Sequence, residues 1–272
     1  MAAILAVQIG NGLSGLTISL RTQEAGFDAA MTGWIIAGFY AGQLLGPLLS
    51  SIAVRLTRMT PAYFGFTLAA GASIYGFTLS EDAGAWILLR FLQGAGMSAM
   101  FSVVEAWLNL ATGDNWRART FAVYIMTQLV GLILGQLGVN LTGRSGDLAL
   151  LAAALFMGGS GLLLVLGRLK EPSGHGMNVL WPWQLATRAP AAVLAIAVSG
   201  VNWALVMGLG PIYAERMALS LSDITVFVSL AVAGGLLAQF PLGHWADHSS
   251  RAMVLSAMGA AGALACMGAF LV

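Results

Sequence analysis

Residues 87–124 read ILLRFLQGAGMSAMFSVVEAWLNLATGDNWRARTFAVY and place charged side chains inside an apolar run. Arg90 and Glu105 lie in a segment that is otherwise apolar enough to cross a bilayer, and Arg117 and Arg119 follow it in a short basic loop. A charge inside a membrane helix is costly and usually faces the interior of a bundle or a water-filled path. These residues therefore indicate a membrane protein with a polar path through it.

The composition of the whole chain agrees with this interpretation. Of its 272 residues, 58% are hydrophobic and only 8% are charged, whereas a soluble domain carries roughly 25% charged residues. Most of the chain must therefore face lipid or other helices. The net charge of +1 gives no reason to expect a nucleic-acid partner. The sequence contains no nucleophile–base arrangement and no spacing of metal ligands, so we expect no enzyme activity, no metal and no cofactor.

Hydropathy predicts an all-α polytopic membrane protein, because a membrane helix needs about 20 mostly apolar residues. A Pro- and Gly-containing stretch at 168–189 separates six predicted spans (1–167) from three (190–272), so we expect a six-helix bundle, a cytoplasmic linker and a partial second bundle. The nine predicted spans are about 1–20, 32–54, 60–79, 84–110, 119–141, 147–167, 190–214, 222–244 and 252–272.

The charges of the connecting loops predict the orientation of the chain. Eight basic residues fall in loops on the side of the N-terminus and three on the opposite side. Cytoplasmic loops carry an excess of Lys and Arg, so the N-terminus is expected in the cytoplasm. The eight are Arg55, Arg58, Arg117, Arg119, Arg168, Lys170, Arg188 and Arg251.

Three motifs resemble those of the major facilitator superfamily. Residues 90–96, RFLQGAG, are similar to its R-x-x-Q-G-x-G motif on the fourth span. Residues 243–251, GHWADHSSR, are similar to its G-x-x-x-D-R-x-G-R loop through Asp247 and Arg251, although a histidine and a serine replace two motif residues. The corresponding loop of the first half, residues 50–58, retains two arginines and has a valine where the family has an aspartate.

Within this superfamily, the chain most resembles the YcaD-like branch. The likeness rests on VVEAW at 103–107, NWRAR at 115–119 and GQL at 135–137. It implies a secondary transporter in the bacterial inner membrane that moves a small solute by alternating access of two six-helix bundles, with protons as candidate coupling ions.

The family has twelve spans and nine are predicted here, so we expect a chain truncated after the ninth span. The alternative is a non-transporting accessory or assembly subunit of a larger complex, in which another membrane protein covers the incomplete second bundle.

Arg90 is the first candidate for a site residue. It could contact an anionic substrate or act in proton coupling in a central cavity, or it could donate hydrogen bonds to neighbouring spans in a structural role. The resemblance favours a place near the cavity. The candidate cavity residues are Arg90, Gln93, Asn11, Gln128 and Asn202.

Glu105 shares a helical face with Arg90 but lies about 22 Å away along the axis, so the two cannot pair. It could carry a proton, because burial raises the pKa of a carboxyl group. The favoured alternative is a cytoplasmic gate latch with basic loops. The candidate gate or coupling residues are Glu105, Arg55, Arg58, Arg117, Arg119, Asp247 and Arg251.

Overall fold

The computed structural model describes residues 1–142, 146–167, 171–172 and 182–270. A few side chains within these ranges, those of Asp247 and Arg251 among them, are outside the described part. All regular structure in the described ranges is helical. The helices are α1 (Ala2–Glu24), α2 (Ala29–Leu56), α3 (Met59–Gly76), α4 (Ala83–Ala111), α5 (Asp114–Thr142), α6 (Asp147–Leu166), α7 (Pro182–Arg188), α8 (Pro190–Ala204), α9 (Gly210–Arg216), α10 (Leu221–His248) and α11 (Arg251–Phe270).

Each of the nine predicted spans corresponds to a helix or a continuous helical run, so the prediction of an all-α polytopic membrane protein is confirmed. In the described part of the chain, seven helical runs are long and apolar enough to cross a membrane. The two predicted spans outside this set are α3, which has 18 residues, and the last helix, whose apolar run covers Met253–Leu264.

Aspartate side chains fix the beginnings of two spans. Asp28 accepts a hydrogen bond from the backbone N–H of Met31 at 2.7 Å, and Asp82 accepts one from Ala85 at 2.7 Å. These bonds satisfy N–H groups that have no partner inside the helix. Because α3 alone lies between α2 and α4, these two helices begin on the same side of the bundle.

The seventh predicted span is a helix interrupted by a π-helical turn. Residues Leu205–Leu209 form this turn between α8 and α9, and the backbone N–H of Gly210 donates to the carbonyl of Leu205. Pro211 follows directly and has no N–H for the carbonyl four residues earlier. The turn absorbs this interruption without ending the span. The whole run, Pro190–Arg216, is called the seventh span below.

Glycines bring the helices of the first bundle into close contact. Helix α2 packs on α4, α1 on α5 and α6, and α3 on α4 and α6. A Cβ atom at Gly42 would collide with the carbonyl oxygen of Phe91, and one at Gly94 with that of Phe39. Small residues permit such approach of backbones in membrane helices.

The chain divides into two compact units, Met1–Leu230 and Ala231–Val272. The first unit holds the candidate site. In the second, the backbone N–H of Met253 lies 3.3 Å from the hydroxyl of Ser250, which caps the beginning of α11. The division at 1–167, 168–189 and 190–272 stays a prediction.

Candidate functional site

A small cavity lies between α1, α2, α4 and α5 on one side and the seventh span and the beginning of α10 on the other. Its volume is about 60 Å³, roughly that of two water molecules. The lining residues are Asn11, Gly12, Gly15, Leu16, Ile36, Phe39, Tyr40, Arg90, Leu132, Gln136, Trp203, Met207, Gly208, Pro211 and Val228. We call this the central cavity.

Arg90 lines the central cavity and is held there by a chain of hydrogen bonds. Its side chain is buried, and Nη1 donates to Oε1 of Gln93 at 3.1 Å. Gln93 in turn donates to the hydroxyl of Ser14 at 3.0 Å. The guanidinium carbon lies 4.8 Å from the centroid of the Phe39 ring, a cation–π contact. The buried Nε of Arg90 has no hydrogen-bond partner among the described residues.

A second group of polar side chains connects α1 with α5 beside the cavity. Asn11 lines the cavity and donates to Gln8 at 3.0 Å, and Gln8 donates to Gln128 at 3.0 Å. The structure therefore brings together Asn11 and Arg90 as lining residues, with Gln93 and Gln128 directly behind them. Asn202 is exposed on the seventh span, next to Trp203, which lines the cavity.

Several lining residues were not selected from the sequence. Tyr40 and Gln136 are polar groups in apolar runs, which is the signal that selected Asn11, so the same rule could have found them. Trp203 and Met207 are one helical turn apart, and this spacing is equally typical of core packing. Their place at the cavity depends on which face of the seventh span packs on α1.

Hydrogen bonds close the cavity at the face where α1 ends. Asn140 on α5 donates to the hydroxyl of Thr225 on α10 at 2.7 Å, and Ser229 donates to Gln136 at 3.3 Å. On the same face, α9 packs on α1. The helices on the two sides of the cavity are therefore joined here.

The seventh span is more exposed in its first half than in its second. Helix α8, Pro190–Ala204, has no buried residue. A wide groove of about 730 Å³ separates it from α2, and Ile36 and Tyr40 line both this groove and the central cavity. The seventh span thus packs closely with its second half and loosely with its first.

The candidate gate charges lie at the face where α1 begins. Glu105 is exposed near the end of α4 and accepts a hydrogen bond from the hydroxyl of Tyr124 at 3.2 Å. The guanidinium of Arg119 lies 5.4 Å from the centroid of the Trp116 ring, and Arg55 is exposed. A latch between Glu105 and the basic loops, and a role of Glu105 in proton coupling, both stay predictions. The side chains of Asp247 and Arg251 lie outside the described part of the structure.

Arg58, another gate candidate, forms an ion pair with Glu171, which was not among the site residues predicted from the sequence. Its Nε lies 3.3 Å from Oε2 of Glu171, and Oε1 of Glu171 accepts a hydrogen bond from the backbone N–H of Thr60 at 2.9 Å. Partial burial raises the pKa of Glu171, but the hydrogen bonds from Thr60 and the charge of Arg58 outweigh it and leave the pKa below its ordinary value. Glu171 therefore caps the beginning of α3 in its ionised form.

The described residues contain no group of three or more His, Cys, Asp or Glu side chains that could hold a metal ion. The residues that line the central cavity offer one guanidinium, two amides, one phenol hydroxyl, and apolar and aromatic surfaces.

Comparison with known proteins matches the whole chain to one family. The family model described as Major Facilitator Superfamily matches residues 1–272. An uncharacterized MFS-type transporter of Enterobacter sp. (strain 638) is 27% identical over 229 residues, which are 82% of this chain and 59% of the relative. The uncharacterized MFS-type transporter YcaD of Escherichia fergusonii is 26% identical over 225 residues, with the same two shares. YcaD of Escherichia coli (strain K12 / DH10B) is 24% identical over 259 residues, which are 94% of this chain and 67% of the relative. The chain thus spans about three fifths to two thirds of the length of these relatives.

Proposed function

Because this chain belongs to the major facilitator superfamily, a family of multi-pass membrane transporters and not of enzymes, we propose that it moves a small solute by alternating access through the central cavity. Its relatives named MFS-type transporters support this proposal. The proposed location is a bacterial inner membrane.

The observation that carries the proposal is the asymmetric packing around the central cavity. Alternating access requires a central site that is closed at one face while the other face is open. The hydrogen bonds of Asn140 with Thr225 and of Gln136 with Ser229 provide closure at the face where α1 ends. We propose that the other face is the open one, because α8, which begins there, has no buried residue. With the basic loops in the cytoplasm, the open face would be cytoplasmic.

The test measures the accessibility of the cavity from each side of the membrane and needs no known substrate. Met207→Cys, in a Cys266→Ser background, places one thiol at the cavity. An alternating-access protein exposes this thiol in turn to both faces, so a membrane-impermeant maleimide should label it in right-side-out and in inside-out vesicles. Asn140→Ala removes the bond to Thr225, which is worth about 1 kcal/mol, so labelling from the face where α1 ends should become about fivefold faster.

Asp147→Asn is the matched control. It breaks the ion pair of Asp147 with Arg21, whose atoms are 2.8 Å apart at the same face but within the first bundle. Labelling of Met207→Cys should not change in this variant. Labelling from a single face in every variant would overturn the proposal. A native mass well above that of the chain would then favour the accessory-subunit alternative.

A further inference from the structure

We propose that the central cavity binds a monoanion with an apolar body, whose charged group lies on the guanidinium of Arg90. The inference rests on the proposed function, because it names the class of solute that the same cavity would carry. A carboxylate attached to a ring or a short hydrocarbon has the required chemistry.

The charge balance of the cavity is the first argument. Arg90 is the only charged side chain among the described lining residues. No carboxylate among the described residues forms an ion pair with it, and its buried Nε has no acceptor there. A buried charge without a counter-charge is unfavourable, and an anion in the cavity would remove this cost. The unused N–H groups of a guanidinium match the two oxygens of a carboxylate.

The position of the guanidinium is fixed before any ligand arrives. Gln93 accepts a hydrogen bond from Nη1, Ser14 accepts one from Gln93, and the guanidinium carbon lies over the Phe39 ring. These contacts limit the rotamers of a long side chain that would otherwise lose entropy on binding. A fixed donor increases affinity because less freedom is lost when the ligand binds.

The surroundings of Arg90 define the rest of the ligand. One cation balances one negative charge, so a doubly charged phosphate would remain partly uncompensated, and a neutral solute would leave Arg90 unpaired. Ile36, Leu132, Trp203 and Val228 present apolar surface to the cavity. The volume of about 60 Å³ accommodates the charged group. A larger body would extend towards the groove, which shares Ile36 and Tyr40 with the cavity.

The experiment compares three probes of similar shape by their effect on the thermal unfolding of the purified protein. Benzoate is a monoanion, benzamide is its neutral counterpart, and phenyl phosphate carries about two negative charges near neutral pH. Benzoate should raise Tm saturably, benzamide should have no measurable effect, and phenyl phosphate should act at least tenfold more weakly than benzoate. This comparison uses the unaltered protein, so its outcome does not depend on the folding of any variant.

Variants then locate the effect. Arg90→Gln should weaken the apparent affinity for benzoate at least tenfold, whereas Arg90→Lys, which keeps the charge but loses the two-point geometry, should weaken it less. Equal stabilisation by benzamide and benzoate, or an undiminished effect of benzoate on Arg90→Gln, would overturn the proposal.

Labelling of the Met207→Cys thiol distinguishes a failure of this proposal from a failure of the proposed function. If the thiol is labelled from both faces but benzoate does not stabilise the protein, the proposal of alternating access stands and the proposal of a monoanionic ligand is wrong. If the thiol is labelled from one face only, the transport proposal fails, whatever benzoate does.

Discussion

At the scale of single residues, Glu171 stabilises a helix that begins far from it in the chain. Arg58, which precedes α3, makes no side-chain cap and has a φ of 129°, in the region that favours glycine. The carboxylate of Glu171 supplies the missing acceptor for the N–H of Thr60. The favourable charge at a helix N-terminus adds to this hydrogen bond. The connection after the sixth span is thereby attached to the beginning of the third.

Glu171→Gln tests this attachment. Because the pKa of Glu171 is lowered in the folded protein, its contribution is fully present above the pKa of the unfolded chain and is lost as pH falls through the folded pKa. At pH 7 the substitution should reduce the free energy of unfolding by about 1 kcal/mol. The difference between the two proteins should shrink in acid below the ordinary range of a glutamate pKa.

The measurement is thermal unfolding in one detergent between pH 7 and pH 3. Glu81→Gln is a suitable control, because Glu81 is an exposed acid in the loop before α4. A difference between Glu171→Gln and the unaltered protein that stays constant over this pH range would contradict the capping role.

Single residues also differ in how far their roles can be predicted from the sequence. Arg90 could be identified because a charge in an apolar helix is conspicuous by itself. Phe39 could not be identified, because an aromatic ring in an apolar helix is ordinary and its contact with Arg90 depends on how α2 packs. Glu171 was missed because its partners are in a distant loop, and no local pattern marks a cap supplied from elsewhere in the chain.

At the scale of elements, the contact between α2 and α4 depends on two glycines, one on each helix, that each lie against the backbone of the other helix. Gly42 lies against Phe91, and Gly94 lies against Phe39. In both cases the obstacle to a larger residue is a backbone carbonyl, which cannot change rotamer to make room. The same contact brings Phe39 and Tyr40 beside Arg90, so helix packing and cavity lining have a common cause.

Gly94→Ala should therefore destabilise the protein by about 1–3 kcal/mol, because its methyl group would force α2 and α4 apart. Gly65→Ala is the matched control. Gly65 lies in α3 with open space around it, and alanine favours a helix over glycine by up to about 1 kcal/mol. Thermal unfolding of the two variants should shift in opposite directions. A Gly94→Ala variant as stable as the unaltered protein would show that the contact is not tight.

The seventh span shows why the faces of a helix were harder to predict than its limits. Its apolar length is plain in the sequence, but the π-helical turn Leu205–Leu209 adds a residue to one turn. Side chains after the turn are rotated relative to those before it. One regular helical period therefore cannot predict which side chains of the two halves lie on the same face. Pro211 marks the place of the irregularity, but its form follows only from the structure.

At the scale of the whole molecule, the limits of the spans follow from hydropathy because lipid imposes one simple requirement. Every span must be apolar and about 20 residues long, and this leaves little freedom in where a helix begins or ends. No comparable rule decides which spans pack against each other, because apolar helix surfaces resemble one another. The fold class was therefore predictable, whereas the closure by Asn140 and Thr225 was not.

The orientation of the molecule can be measured with single cysteines in the Cys266→Ser background. Ala25 and Thr57 are both exposed residues at the ends of spans, at opposite faces of the bundle. With the N-terminus in the cytoplasm, an impermeant maleimide should label Ala25→Cys in right-side-out vesicles. Thr57→Cys should be labelled only after permeabilisation. The reverse pattern would place the N-terminus outside and reverse the assignment of the open face.

The glycine contact between α2 and α4 provides an internal length standard for spectroscopy. Two helices whose backbones touch cannot slide past each other by a useful fraction of a helical turn, so paired spin labels at exposed positions of the two helices keep one separation. Leu44 and Leu92 are exposed positions on these two helices. A change measured between either label and a label on the seventh span can be compared with this fixed separation. It can then be assigned to movement of the seventh span and not to distortion of the bundle that carries Arg90.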